Sequence, residues 1–264
     1  KLFTIKKRET AVAGDYSYPK TIEPPYNEKY SDKPFPEGWS DIDPFDSYRS
    51  LFNGEVFLYN NPEIIFSRVV NDGGADHDYL VDWCDVADMA KHQMPSSIGG
   101  WNIHSMTMKQ CDAYDMADGK ALHPYDNLEE GIWMGYANRE PRFYASVGYN
   151  GARWNCTSAT GTGSEKIINK QVWYYRGDTD GRSNGTERWL VTGIGIKKYV
   201  HPSDCASYGG SIVEKVEPAL RYADILLSYA EALNNLTTTY EIPSWDESTT
   251  YTISRDVEQM RRGV

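Results

Sequence analysis

The chain has 264 residues, 40% of them hydrophobic, and a formal net charge of -11; its mean hydropathy is -0.63. That excess of carboxylates works against nucleic acid or an anionic membrane surface as a partner, because phosphate binding depends on Lys and Arg. The longest aliphatic run, Ile225-Leu226-Leu227, is far short of the roughly 18 apolar residues of a transmembrane helix, which leaves neutral ligands and one sizeable core or two small ones.

Twenty Tyr and eight Trp stand against seven Phe, so most aromatic side chains carry a polar handle, the type used in both cores and binding surfaces. The cysteines at 84, 111, 156 and 205 match neither a zinc-ligand pair nor a redox Cys-x-x-Cys. They read as buried or solvent thiols, with a disulfide open only in an oxidising compartment. No signal peptide, lipid-attachment cysteine or initiating Met precedes Lys1, and the chain is expected to be processed or cut from something longer.

Residues 1–47 hold six prolines with Tyr16, Tyr18, Tyr26, Tyr30 and Trp39 and show no helical or strand period. They predict an extended surface segment. Asp43-Pro44-Phe45-Asp46 precedes a short helix start at Tyr48–Phe52, and Ile64–Val70 reads as a short buried strand. The acidic, glycine-rich stretches 71–82 and 178–187 read as solvated loops. The first misses the calcium-loop pattern; the second carries a chance Asn-x-Thr sequon at Asn184. Gly99-Gly100 allows a tight turn that could display Trp101 and Asn102. Gln110–Gly119 predicts a short glycine-capped helix, and Phe143–Tyr149 alternates as a strand ending at the Asn150-Gly151 turn. Gln171–Tyr175 and Trp189–Tyr199 read as further extended segments.

The stretch 217–235 predicts a long helix, with Pro218 in its first turn and a stop at Asn234-Asn235. Ala219, Ala223, Leu226, Ala230 and Leu233 share one face, and only Arg221, Asp224, Ser228 and Glu231 form a continuous polar stripe. Most of the circumference is suited to burial in a helical array. A linker from Leu236 to Glu247 then leads to a second expected helix over about 252–262, with Ile253, Val257 and Met260 at helical spacing.

Known catalytic layouts are missing. The chain contains no His-Glu-x-x-His, Gly-x-Ser-x-Gly, Walker loop or Gly-x-Gly-x-x-Gly, and His77, His92, His104, His123 and His201 share no metal-ligand spacing. No metal site and no cofactor are expected. The pairs Glu129–Glu130, Asp82–Asp85 and Asp224–Glu231 could in principle flank a glycosidic bond, but sequence cannot supply the separation a hydrolase needs.

Arg-Tyr-Ala-Asp-x-Leu-Leu-x-Tyr-Ala-Glu-Ala-Leu-Asn at 221–234 resembles the hallmark helix of the SusD/RagB family of surface glycan-binding lipoproteins in Bacteroidetes. Four further stretches are similar to the family pattern in the same order: Asn61–Ser67; Asp112–Lys120; Asn138–Tyr144 with Tyr149–Gly151; and Lys197–Val200. The closing Met260-Arg261-Arg262-Gly263 departs from the family's next landmark. The resemblance covers roughly 48–264 and implies a central-to-late fragment of a longer protein.

The expected architecture is mostly α, a TPR-like helical-repeat scaffold, partial here, with a loop-rich portion carrying short β-strands. Its parts are a Pro/Tyr-rich segment (1–47), a loop-rich ligand-binding portion (48–210) and a helical-repeat pair (211–264). The resemblance further implies a non-enzymatic, lipid-anchored protein at the outer-membrane surface. Its partners would be an oligosaccharide or polysaccharide and a SusC-like TonB-dependent transporter, with membrane contact only through an anchor outside this chain.

A pyranose ring offers an apolar C–H face and a rim of hydroxyls, so its site needs a flat aromatic beside Asn, Gln, Asp or Arg. Trp101 with Asn102, Arg153-Trp154-Asn155, and Trp133 with Tyr136 have this makeup. Trp101, Trp133 and Trp154 are expected to stack on sugar while Asn102, Arg153 and Asn155 bind hydroxyls; Trp39 and Tyr26 are weaker candidates. Core packing is the competing reading for each Trp, more so for Trp173 and Trp189 inside expected strands. Two other functions stay open: a module that docks the transporter or binds peptide, and a glycoside hydrolase.

Overall fold

Asp43-Pro44 starts the first helix as the chemistry of helix ends requires. The Asp43 carboxylate accepts the N–H of Asp46 at 2.9 Å, and Pro44 occupies the first turn, where no N–H is needed. In the computed structural model the described residues are 5–6, 42–56, 60–68, 86–116, 120–121, 128–129, 132–133, 135–136, 139–182, 188–215, 217–257 and 260. Most of the Pro/Tyr-rich segment, with Trp39 and Tyr26, and all of the acidic stretch 71–80 lie outside them.

In chain order the elements are β1 (Ile5–Lys6), β2 (Ile42–Asp43), α1 (Pro44–Arg49), β3 (Ile64–Arg68), α2 (Val86–Gln93), α3 (Met108–Asp112), β4 (Leu128–Glu129), β5 (Ile132–Trp133) and α4 (Pro141–Ser146). Then follow β6 (Val147–Gly148), β7 (Arg153–Trp154), β8 (Lys170–Gln171), β9 (Gly195–Ile196), β10 (Glu217–Arg221), α5 (Tyr222–Asn235), β11 (Tyr240–Pro243) and β12 (Thr250–Ile253). The strands form antiparallel pairs, β1 with β2, β3 with β10, β4 with β5, β6 with β9, β7 with β8 and β11 with β12.

The expectation of a mostly α, TPR-like scaffold is therefore corrected. Only α5, with 14 residues, reaches the length of an ordinary helix, the other four described helices run from five to eight residues, and small two-stranded sheets lie between them. Segments this short are not stable as free helices and owe their form to tertiary packing.

The long helix was expected to begin at 217. Residues 217–221 instead form β10 against β3, with Pro218 opposite Ser67 and Arg221 opposite Ile64. The helix begins at Tyr222, where the Asp224 carboxylate turns back to accept the Arg221 N–H at 2.8 Å. Of its expected packing face, Ala230 and Leu233 are buried, Ala223 and Leu226 half-buried and Ala219 exposed, and Ile225, Leu227 and Tyr229 off that face are exposed. The start of the expected second helix at about 252 is also revised: Thr250–Ile253 pairs with Tyr240–Pro243 as a hairpin, and among the described residues helical conformation follows at 257 and 260. β-branched and aromatic residues at Tyr240, Ile242, Thr250, Tyr251, Thr252 and Ile253 favour that outcome.

Phe143–Ser146, expected to be strand, is helical because Pro141 sits in the first turn of α4 and fixes φ for helix entry. Ahead of it the Arg139 side chain is fully buried and donates to the carbonyls of Gly135 (2.8 Å), Cys111 (2.7 Å), Tyr114 (2.7 Å) and Asp115 (3.4 Å). The guanidinium also lies 4.4 Å from the centroid of the Phe143 ring. One cation thus ties α3, the 135–136 turn and α4 together.

Two buried clusters result. Phe45, Met106, Cys111, Phe143, Tyr144, Ala145, Val147 and Ile194 form one; the other gathers around Trp154, Val172, Tyr174, Met94, Ile98, Cys156 and Cys205. The second is closed on one side by the turn at Gly100, where a Cβ would stand 2.0 Å from the Met94 carbonyl oxygen, so only glycine fits. Among the described residues no helix is long and apolar enough to cross a membrane.

Candidate functional site

After β8 the chain runs on extended through Tyr175, and the side-chain period of two decides which aromatics meet water. Val172 and Tyr174 turn into the core, while Gln171, Trp173 and Tyr175 turn outward. Trp173 is 38% exposed and Tyr175 59%. Their rings lie 5.6 Å apart, centroid to centroid, with only 12° between planes, an offset stack that presents one flat aromatic surface.

The strip is held from behind by the Asn150–Gly151 turn. Asn150 accepts the N–H of Tyr174 through its side chain at 2.7 Å, Gln171 donates through Nε2 to the Gly151 carbonyl at 2.9 Å, and the Gly151 N–H reaches the Val172 carbonyl at 2.8 Å. Gly151 has φ of +95°, and a Cβ there would come 3.0 Å from the Trp173 ring. Glycine serves both the left-handed turn and the close approach of the indole. The site is therefore an aromatic plane edged by an amide and a turn.

The sequence-derived candidates fall elsewhere. Trp154 is 1% exposed and sits in the core cluster, with the Lys197 ammonium 5.4 Å from its ring centroid. It offers no face to a sugar, so the stacking role expected for it is corrected: in β7 alternation turns Arg153 outward and Trp154 inward. The flanking polar residues are engaged locally, Arg153 donating to the Asn169 carbonyl at 3.0 Å and Asn155 to the Asn169 side-chain oxygen at 3.4 Å.

Asn102 is 0% exposed, with φ of +51°, and donates to the carbonyls of Asp180 (3.0 Å) and Arg188 (3.3 Å). It ties Asp180 and Arg188 to the 100–102 turn instead of facing solvent. Trp101 is half-buried: His92 lies 4.6 Å from its ring, Lys91 Nζ 4.8 Å and the Arg188 guanidinium 5.3 Å, centroid distances that leave little of either face clear. Trp133 lies in β5 opposite Leu128; its side chain is outside the described residues. The structure thus groups Arg153, Trp154 and Asn155 by chain neighbourhood and does not bring them to Trp101 as one surface.

Sequence reasoning favoured packing for Trp173 and did not single out Tyr175. The signal was the alternation Gln171-Val172-Trp173-Tyr174-Tyr175, whose phase no local rule supplies. A further exposed tryptophan, Trp245, is 96% exposed at the tip of the β11–β12 hairpin, in a turn ordered by the Asp246 carboxylate, which accepts from Ser244 Oγ at 2.6 Å and from Ser248 N and Oγ.

One cleft among the described residues is too small to compete with the surface strip. A cleft lined by Arg49, Tyr144, Trp154, Asn155, Lys197 and His201 has a free volume of about 10 Å3, room for one water molecule and too small for a sugar ring. At its floor Asp204 accepts from His201 N (2.7 Å), Val213 N (2.8 Å) and Lys215 Nζ (2.8 Å), a buried ion pair satisfied within the protein. Of the carboxylates considered for hydrolysis, Asp82, Asp85 and Glu130 are outside the described residues, and Asp224 caps α5. Among the described residues no cluster of three or more His, Cys, Asp or Glu could hold a metal ion.

The profile of the SusD family matches residues 62–255. The chain belongs to the SusD family. Among solved structures it is similar to a SusD-like protein from Bacteroides fragilis, BF3747, at 25% identity and a TM-score of 0.51, covering 71% of this chain and 35% of that one. It is also similar to BT4246, at 19% identity and a TM-score of 0.52, covering 82% of this chain and 38% of that one. The chain thus spans little more than a third of the length of these SusD-family structures. No curated protein matches it.

Proposed function

We propose that the chain is part of a non-catalytic protein that binds glycans through the outward strip Gln171-Trp173-Tyr175. The observation that carries this reading is the pair of stacked, exposed rings. Burial of large apolar rings is the ordinary outcome of folding, whereas two exposed rings stacked with near-parallel planes offer an aromatic face that matches the C–H face of a pyranose. Covering one ring is worth about 1–2 kcal/mol at roughly 25 cal/mol per Å2. Gln171, at the edge of the strip, supplies an amide for the hydroxyl rim.

Membership of the SusD family supports glycan capture as the role. Delivery of an oligosaccharide to a SusC-like TonB-dependent transporter, and anchoring at the outer-membrane surface by a lipid outside this chain, complete the proposal. The test is affinity electrophoresis of the full-length protein through neutral plant and host polysaccharides, with serum albumin as the non-binding control. Retardation by one glycan class that is lost in Trp173→Ala supports the reading. Loss in Trp245→Ala with Trp173→Ala unaffected moves the site to the hairpin, and no retardation by any glycan ends it. Co-purification with a TonB-dependent transporter tests the delivery step, and reducing-end release from the bound glycan would show hydrolysis instead of capture.

A further inference from the structure

Segments 155–161 and 202–211 run side by side and are laced together along their backbones. Thr157 N–H reaches the Pro202 carbonyl at 3.1 Å, Ser158 N–H the Ser203 carbonyl at 3.3 Å, and Thr160 and Gly161 both donate to the Tyr208 carbonyl at 3.1 and 2.7 Å. Ser158 Oγ and Ser211 exchange two further bonds, at 3.3 and 3.0 Å. Each segment carries one cysteine into the same core cluster, and both are buried.

The two thiols share one buried cluster, and Cys205 lies near enough to raise the Cys156 thiol; both are free thiols in the structure, and Cys205 Sγ donates to the Ser207 carbonyl at 3.0 Å. Cys156 is also held at φ of +49°, in the left-handed region that a residue with a side chain adopts only where its surroundings dictate it. On the far side Gly210 packs so closely that a Cβ there would stand 2.5 Å from Cys205 Cβ. Gly210 thus confines Cys205, and the backbone conformation constrains Cys156.

We infer that Cys156 and Cys205 form a disulfide when the chain folds in an oxidising compartment, stapling the 155–161 and 202–211 segments across the core behind the aromatic strip. Proximity, converging segments and the constrained Cys156 backbone carry the assignment. It concerns the fold and does not depend on glycan binding. The oxidant is a small-molecule or oxidoreductase disulfide: one cysteine, as thiolate, attacks it and releases one thiolate, and the second cysteine thiolate then displaces the other. Two electrons and two protons leave the protein, and one S–S bond forms.

Burial raises the Cys156 thiol well above the ordinary cysteine range, with the neighbouring Cys205 adding to the effect. In the closed core there is almost no thiolate at Cys156 to react. The bond is therefore made while the core is still open, and once made it is shielded from reductants. Cys111, in the other cluster, has its thiol pushed up to about 11 by burial and remains a thiol.

The experiment is non-reducing peptide mapping of the full-length protein, refolded in a mixture of reduced and oxidised glutathione and alkylated in denaturant. The expected result is a cross-linked peptide pair containing Cys156 and Cys205, about two mass units lighter than the reduced pair, with Cys111 alkylated. Reduction before folding should lower Tm by on the order of 10 °C, because the bond closes a loop of about fifty residues. Cys156→Ala and Cys205→Ala should each abolish that dependence on reductant. Full alkylation of both cysteines without reductant overturns the proposal, and so does a cross-link that joins either of them to Cys84. The peptide map of the unmutated protein decides the matter even if neither variant folds.

Discussion

The Arg221 guanidinium meets the Glu63 carboxylate at 2.9 Å, and the Tyr222 N–H donates to the Glu63 carbonyl at 2.7 Å. One residue ahead of β3 therefore seats the first residue of α5 and its N-cap at once. The two positions are 158 residues apart in sequence, and this contact is where the strand pair β3–β10 hands over to the helix.

Glu63 is buried and Arg221 half-buried, so Glu63→Ala leaves a cation with its carboxylate removed and should cost about 3 kcal/mol. Urea denaturation of the full-length protein measures it. Glu63→Gln, which keeps an acceptor oxygen, should recover part of the loss; equal losses in the two variants would mean that packing, not the ion pair, sets the cost.

Trp173→Ala and Tyr175→Ala should each weaken glycan binding by about 5- to 30-fold, the equivalent of about 1–2 kcal/mol, while leaving stability nearly unchanged. Trp154→Ala should do the reverse, destabilising the fold by about 3–5 kcal/mol through an internal cavity. Isothermal titration and thermal melts on the same samples separate the two effects. If Trp154→Ala proved fully stable, its placement in the core would be wrong.

Gly151→Ala tests the backing of the strip. Its positive φ costs about 1 kcal/mol for a residue with a Cβ, and the new methyl group would press on the Trp173 indole at 3.0 Å. Affinity should fall by several-fold with only a small change in Tm, whereas Gly177→Ala, with φ of +98° but open space at its Cβ, should show the backbone cost without the loss of binding.

Arg139→Met should destabilise by about 3–5 kcal/mol. It removes the donor to several buried carbonyls at once, and each orphaned acceptor costs about 1–3 kcal/mol before solvent relaxation. Arg139→Lys, with a point charge in place of a planar fork, should recover only part of this in the same denaturation assay.

Stability should also fall with acidification. Burial, and then the neighbouring His92, lower the proton affinity of His104; burial is also the first cause of the lowering at His201. A histidine whose folded pKa lies below its unfolded value of about 6.5 takes up its proton first in the unfolded chain. The stabilising contribution is complete above about pH 6.5 and is lost as pH falls through the folded value. Urea midpoints between pH 7.5 and 5 should show the decline, and His104→Asn should flatten it; an unchanged slope would assign it to other groups.

Much of the organisation was legible in the residues themselves. Asp43-Pro44 marks a helix start by chemistry that acts within one turn, and the ordered stretches from Asn61 to Asn234 carried the family resemblance. What failed, failed for a stated reason. Residues 217–221 have helical periodicity but lie opposite β3, and pairing with a distant strand overrode the local pattern. Phe143–Ser146 alternates like a strand, yet Pro141 and the buried Arg139 bonds draw it into a helix. Trp101 and Trp154 looked like displayed aromatics because glycines and turns stand beside them, but adjacency to a turn does not say which way a ring faces.

The sequence by itself determined where the chain could turn and cap and which stretches carry the SusD family pattern. The tertiary structure alone decided the phase of each short strand, and with it that Trp154 and Tyr174 face inward while Trp173 and Tyr175 face water. In a two-residue period a shift of one position exchanges the faces completely. Only distant partners such as Gly151 against Trp173, or Cys205 beside Cys156, fix which phase is taken.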